Sequence, residues 1–118
     1  MTADYDLAVV EHQIDLLEQD GRLVALVELS AEPDHLLIVN IAVDPSSQGH
    51  GIGRLLLEHA ENVAGKLGFA ELRLYTNALM KTNIVLYARH GYEEYRREQL
   101  APGWVGVHMR KWLVRPEE

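Results

Sequence analysis

The sequence predicts one α/β domain, a mixed sheet of six or so strands with two helices interleaved. Three observations carry this reading. Short apolar runs of strand length alternate with two stretches whose apolar residues recur at helical spacing. Turn signals at Asp20-Gly21, Asp44-Pro45 and Pro102-Gly103 separate the runs. The 118 residues, 47% apolar and 25% charged, suffice for one hydrophobic core and are too few for two ordinary domains.

Each element follows in order. Leu7, Val10, Ile14 and Leu17 have helical spacing, yet QIDLLEQDGRLVALVEL also reads as a hairpin about Asp20-Gly21, with strands over 13–19 and 22–30. AEPD is a turn. HLLIVNIAV (35–43) is apolar on both faces, as a central strand covered on both sides would be. From Gly51 a stripe of Ile52, Leu55, Leu56, Ala60, Val63 and Leu67 predicts a helix, closed by Gly68. AELRLYT (70–76) alternates like a strand, and LMKTNIVLYARHG (79–91) reads as a short helix ended by Gly91. YEEYRR and WVGVHMRKWL, on either side of Pro102-Gly103, complete the sheet.

Composition narrows the function. The formal net charge is -7, and the only local basic clusters are Arg96-Arg97 and Arg110-Lys111, so nucleic acid is not an expected partner. An acidic surface tolerates a cationic small molecule better than an anionic one, which points towards amines. No apolar run approaches a membrane span, and the acidic start MTADYDLAVVEHQ lacks the basic region of a secretory signal. No cysteine is present, which excludes disulfides, thiolate zinc sites and a cysteine nucleophile. A cytoplasmic protein without a metal or membrane partner is the expectation.

The most informative stretch is NIAVDPSSQGHGIGRLLLEHAE (40–61): a strand, a glycine-rich turn and a helix start. Unpaired N–H groups and the positive dipole end of a helix attract anions, and glycines let the anion approach the backbone. A P-loop would need a lysine after the glycines, and none follows. A dinucleotide fingerprint would need glycine where Arg54 stands, although Glu71 lies twenty residues after Gly51, where a ribose-binding acid could sit. A glycine-rich turn with no ligand stays open beside these, at a considerable cost in chain entropy.

QGHGIG (48–53) resembles the Q/R-x-x-G-x-G/A motif of the GNAT superfamily of N-acetyltransferases. IAVDP before it and RLLLEHAE after it are similar to that family's central strand and following helix, and NIVLYARHGY (83–92) to its second motif. The resemblance spans about residues 13–113. It implies a mostly antiparallel sheet splayed at the central strand, with acetyl-coenzyme A as co-substrate in the gap. Ile41, Ala42 and Val43 would pair with the pantetheine arm. Gln48, Gly49, His50, Gly51, Ile52, Gly53 and Arg54 would hold the pyrophosphate, with His50 contributing its backbone. Asn83 would bond the arm, with Asn77 as fallback. Tyr87 would protonate the departing thiolate. The alternative roles are a solvated cation for Arg54 and a packing residue for Tyr87.

An amine would then attack the thioester directly. A lysine-like amine is only about 0.1% neutral near pH 7.4, so a base or a water relay is needed. A backbone N–H of the central strand, such as that of Val43, could meet the charge on the thioester oxygen. The family often places a glutamate base on its central strand, but LLIVNIAV holds no acid. Glu28 on the preceding strand is the nearest candidate and His35 the second. The family also opens with a strand and helices that shape the acceptor pocket, whereas about a dozen residues precede the first hairpin here. A homodimer that completes the pocket is the expectation, with Trp104 and Trp112 lining the interface or the pocket, or else packing in the core. A non-catalytic acyl-coenzyme A-binding domain and a structural partner subunit are the competing readings.

Overall fold

The computed structural model describes residues 12–114. Strands β1 (His12–Gln19), β2 (Arg22–Ala31) and β3 (Leu36–Val43) lead through a 3-10 turn, Pro45–Ser47, to helix α1 (Ile52–Leu67). Then come β4 (Glu71–Asn77), α2 (Lys81–Arg89), β5 (Glu93–Ala101) and β6 (Trp104–Trp112). The six strands form one sheet in the order β1-β2-β3-β4-β6-β5, antiparallel except for β3 beside β4. A parallel neighbour needs a crossover, and α1 supplies it.

Local chemistry explains the borders. Asp20 and Gly21 both have positive φ, 55° and 76°, as the tight two-residue turn of a hairpin requires. Helix α1 ends where Gly68 turns left-handed (φ 85°) and the Phe69 N–H returns to the Ala64 carbonyl. Helix α2 begins two residues later than the apolar pattern suggests, because the Asn77 side chain accepts the Leu79 N–H at 2.9 Å and its carbonyl accepts the Met80 N–H at 2.8 Å. Strand β5 runs on to Ala101 rather than stopping at Arg97. Its charged residues suit an edge strand, and they hide its length from an apolar pattern.

Cross-strand partners share a face of the sheet. Asp15 and Lys111 reach His59 and Glu61 of α1, which marks the helix-covered side. The core lies there: Val27, Leu29, Leu36, Leu57, Leu72 and Val107 are fully buried between the sheet and α1. On the opposite side Ile14, Leu16, Val39 and Tyr75 are exposed. Strand β3 is therefore covered by helices on one face only, among the described residues, and not on both as its apolar run suggests.

The sheet is not closed along its length. Strands β3 and β4 pair only through Leu36↔Leu72, Leu37↔Arg73 and Ile38↔Leu74. The register of β2 on β3 then slips, Leu29 facing Ile38 but Glu28 facing Asn40, which leaves Val39 as an extra residue. Such a bulge bends and twists its strand. Beyond it β3 follows β2, and the two parallel strands part into a gap.

Candidate active site

The gap opens into a cavity of 1040 Å³ bounded by β3, the turn before α1, and α2. That is at the upper end of ordinary ligand pockets, about 300–1,000 Å³. Its β3 wall is Ile41, Ala42 and Val43. Its mouth is the turn, through Gln48, Gly49, Gly51, Ile52, Gly53 and Arg54, and Asn83 and Tyr87 line it from α2. The structure therefore brings together every residue the sequence assigned to a donor site except His50, which is exposed and not part of the lining.

The turn is built to receive an anion. Gly51 has φ 78° and no side chain caps the helix. The first α-helical bond runs from the Leu55 N–H to the Gly51 carbonyl at 3.1 Å, so the N–H groups of Ile52, Gly53 and Arg54 precede the ladder. A Cβ added at Gly51 meets no protein atom within 4 Å; it would project into open space. At Gly53 a Cβ would lie 3.2 Å from Leu86 Cδ2, so this glycine lets α2 approach the start of α1. Arg54 is exposed and pairs with Glu58 one turn on at 3.3 Å. Lys81 and Arg89 also line the cavity, and the sequence reading missed both. The signal available was a cation at each end of the second helix.

Tyr87, which lines the cavity, is 9% exposed, and its ring meets that of Tyr92 edge-on at 6.2 Å. Burial pushes the Tyr87 hydroxyl above the usual tyrosine range, so it stays protonated through neutral pH. Asn83 lies on the lining, while the fallback Asn77 spends its side-chain oxygen on the start of α2.

The candidate bases lie elsewhere. Glu28 is on the open face, one strand from the gap and opposite Asn40, and its carboxylate is 2.6 Å from His12 Nε2. His35 precedes the closed end of β3, where it bonds Asp34 at 2.7 Å, away from the gap. A second carboxylate–histidine pair, Glu98 with His108 at 2.9 Å, lies across the gap from Glu28 and one strand beyond Tyr75, whose ring stacks on His108 at 5.5 Å. The sequence reading missed it because it ended the fifth strand at Arg97, one residue short of Glu98, although the pair forms across the β5–β6 hairpin. Trp104 and Trp112 are half-buried, outside both the core and the cavity lining. Among the described residues no three His, Asp or Glu side chains converge as a metal site, and no helix is long and apolar enough to cross a membrane.

A family model described as the acetyltransferase (GNAT) domain matches residues 8–94. The chain belongs to this GNAT family. It is 38% identical over 78 residues to the [ribosomal protein bS18]-alanine N-acetyltransferase of Escherichia coli K12, covering 66% of this chain and 53% of that one. The GNAT chain thus spans little more than half the length of that relative. Its fold superposes on a solved ribosomal-protein-S18-alanine N-acetyltransferase of E. coli with TM-score 0.82 and 28% identity, covering 98% of this chain and 77% of that one. It is also 30% identical, over 94% of its length and 74% of the relative's, to the S-(2-succino)cysteine N-acetyltransferase of Bacillus subtilis. A GNAT acetyltransferase from Elizabethkingia anophelis, solved with acetyl-CoA bound, shares the fold at TM-score 0.81 and 17% identity, covering 95% of this chain and 84% of that one.

Proposed function

We propose that this chain transfers an acetyl group from acetyl-coenzyme A to the primary amine of an amino acid or of a peptide N-terminus. The observation that carries the reading is the gap between β3 and β4, whose cavity is lined by an uncapped glycine turn and a buried tyrosine. Backbone N–H groups of the turn, with Arg54, Lys81 and Arg89 around it, suit a pyrophosphate in a chain that is otherwise acidic. The unpaired edge of β3 at Ile41–Val43 suits the amides of a pantetheine arm. The acceptor class is supported by two relatives named for acetylating an alanine and a cysteine derivative.

In this reading the amine approaches from the open face of the sheet. Its nitrogen attacks the thioester carbonyl, whose oxygen is met by a β3 N–H such as that of Val43. Glu28, held by His12, takes the amine's proton, directly or through water. The C–S bond breaks and Tyr87 gives its proton to sulfur. Burial disfavours the thiolate as it does the phenolate, so the transfer is not opposed by the raised Tyr87 pKa alone.

The test is release of free thiol from acetyl-coenzyme A in the presence of a short peptide beginning with alanine. Steady release that depends on both reactants is expected, with Glu28→Gln slower by about 10²-fold. Binding of the donor without release would instead favour a non-catalytic acyl-coenzyme A-binding domain. Exposed Ile14 and Leu16 on edge strand β1 support association of two chains through the open face. Light scattering is expected to give twice the chain mass, and a mass of one chain would refute the homodimer.

A further inference from the structure

A second groove adjoins the donor cavity. It measures 390 Å³ and is lined by Arg54, Glu58, Glu61, Arg89, His90 and Lys111. Arg54 and Arg89 line the donor cavity as well, so the two spaces meet along these two residues. The border runs from the first turn of α1, where Arg54 follows the glycine turn, to the last turn of α2, which carries Arg89. No β3 residue lines the groove. It therefore continues the donor cavity from the anion-receiving turn, away from the wall that suits the pantetheine arm.

Its charges have a surplus. Both acids of the groove are engaged, Glu58 with Arg54 at 3.3 Å and Glu61 with Lys111 at 2.8 Å. Arg89 pairs with no carboxylate among the described residues, and His90 adds a ring N–H donor beside it. The groove is thus locally cationic in a chain of net charge -7. The end of α2 does not oppose an anion there with bare carbonyls. Those of Leu86, Tyr87 and Ala88 accept the N–H groups of His90, Tyr92 and Gly91. Coenzyme A carries two anionic groups on one ribose, a 5′-pyrophosphate and a 3′-phosphate. A phosphate monoester is close to doubly charged at neutral pH. With the pyrophosphate on the glycine turn, the 3′-phosphate lies one sugar away, and the groove begins beside that turn.

We propose that the groove at Arg89 and His90 holds the ribose 3′-phosphate, so that this chain selects coenzyme A over its 3′-dephospho form. The inference rests on the acyl-transfer reading above, which gives the 3′-phosphate no place. Arg54 meets the pyrophosphate at the shared border, and Arg89 meets the monoester with a charge-assisted contact. The 3′-phosphate is remote from the thioester and does not change in the reaction. Selection therefore falls on donor affinity and leaves kcat alone.

The test is calorimetric titration of the protein with coenzyme A and with 3′-dephospho-coenzyme A. The wild type is expected to bind coenzyme A about tenfold more tightly, the value of one charge-assisted hydrogen bond at an exposed site. Arg89→Gln is expected to bring the two affinities towards equality, chiefly by weakening coenzyme A. Glu58→Gln is expected to widen the ratio by about twofold, because it removes a like charge from the groove and frees Arg54. Loss of folding cannot mimic changes of opposite sign, and the wild-type ratio needs no variant. Equal affinities in the wild type overturn the subsite. So does a ratio that Arg89→Gln leaves unaltered, both ligands weakening together or neither, or one that Glu58→Gln narrows. If neither ligand binds the wild type, the donor site of the proposed function fails and the subsite with it. Binding of both without discrimination refutes the subsite alone.

Discussion

Tyr87→Phe is expected to lower kcat for thiol release by about 10²–10³-fold while leaving acetyl-coenzyme A affinity within a factor of about two. Tyr87 lines the cavity from α2, and burial keeps its hydroxyl protonated. Without it the thiolate must leave unprotonated or take its proton from water. The loss falls on kcat because the contact gains strength only as charge develops on sulfur. Folding should not suffer. Phenylalanine keeps the edge contact with Tyr92, and no protein hydrogen bond to the Tyr87 hydroxyl is lost among the described residues. Steady-state kinetics beside a thermal melt of the free protein check both halves. A variant with unaltered kcat would leave Tyr87 as a packing residue.

Gly51→Val is expected to weaken acetyl-coenzyme A binding by about 10–100-fold, the value of one or two charge-assisted hydrogen bonds. Two physical effects act together. Gly51 has φ 78°, where an L-residue pays about 1–2 kcal/mol, and a β-branched one more. The new side chain also projects into the open space before the uncapped N–H groups, where a phosphate would lie. The backbone term appears as a lower melting temperature of the free protein, by a few degrees. The cradle term appears only in calorimetric titration with the donor. A variant that melts lower yet binds normally would place the anion elsewhere.

What the sequence announces depends on whether the cause is local. The hairpin at Asp20-Gly21 was legible because positive φ at two adjacent positions selects those residues. Helix α1 was legible from its stripe and from Gly68, and the cavity wall from the strand, turn and helix order around QGHGIG. The gap itself was not. What ends the pairing of β3 and β4 is one extra residue at Val39, in a run of mostly good strand formers broken only by Asn40 and Ala42. Register depends on the neighbouring strand, and no residue type marks it. The insertion of β6 between β4 and β5 is likewise a tertiary choice, so the contacts of His108 with Tyr75 and of Lys111 with Glu61 were hidden. The same holds for Arg89 and Lys81, whose cavity role depends on where α2 docks. The late start of α2 comes from Asn77, an ordinary turn former whose role at the helix start shows only in the fold.

The central claim is that the gap between β3 and β4 holds acetyl-coenzyme A. Thermal unfolding of the purified protein with and without this ligand tests it most directly. At a hundredfold excess over the dissociation constant one site stabilises by about 2.7 kcal/mol, which for a domain of this size raises the midpoint by on the order of 10 °C. That rise, reproduced by free coenzyme A and largely lost in Gly51→Val, is the predicted result. An unchanged midpoint at millimolar acetyl-coenzyme A would contradict it.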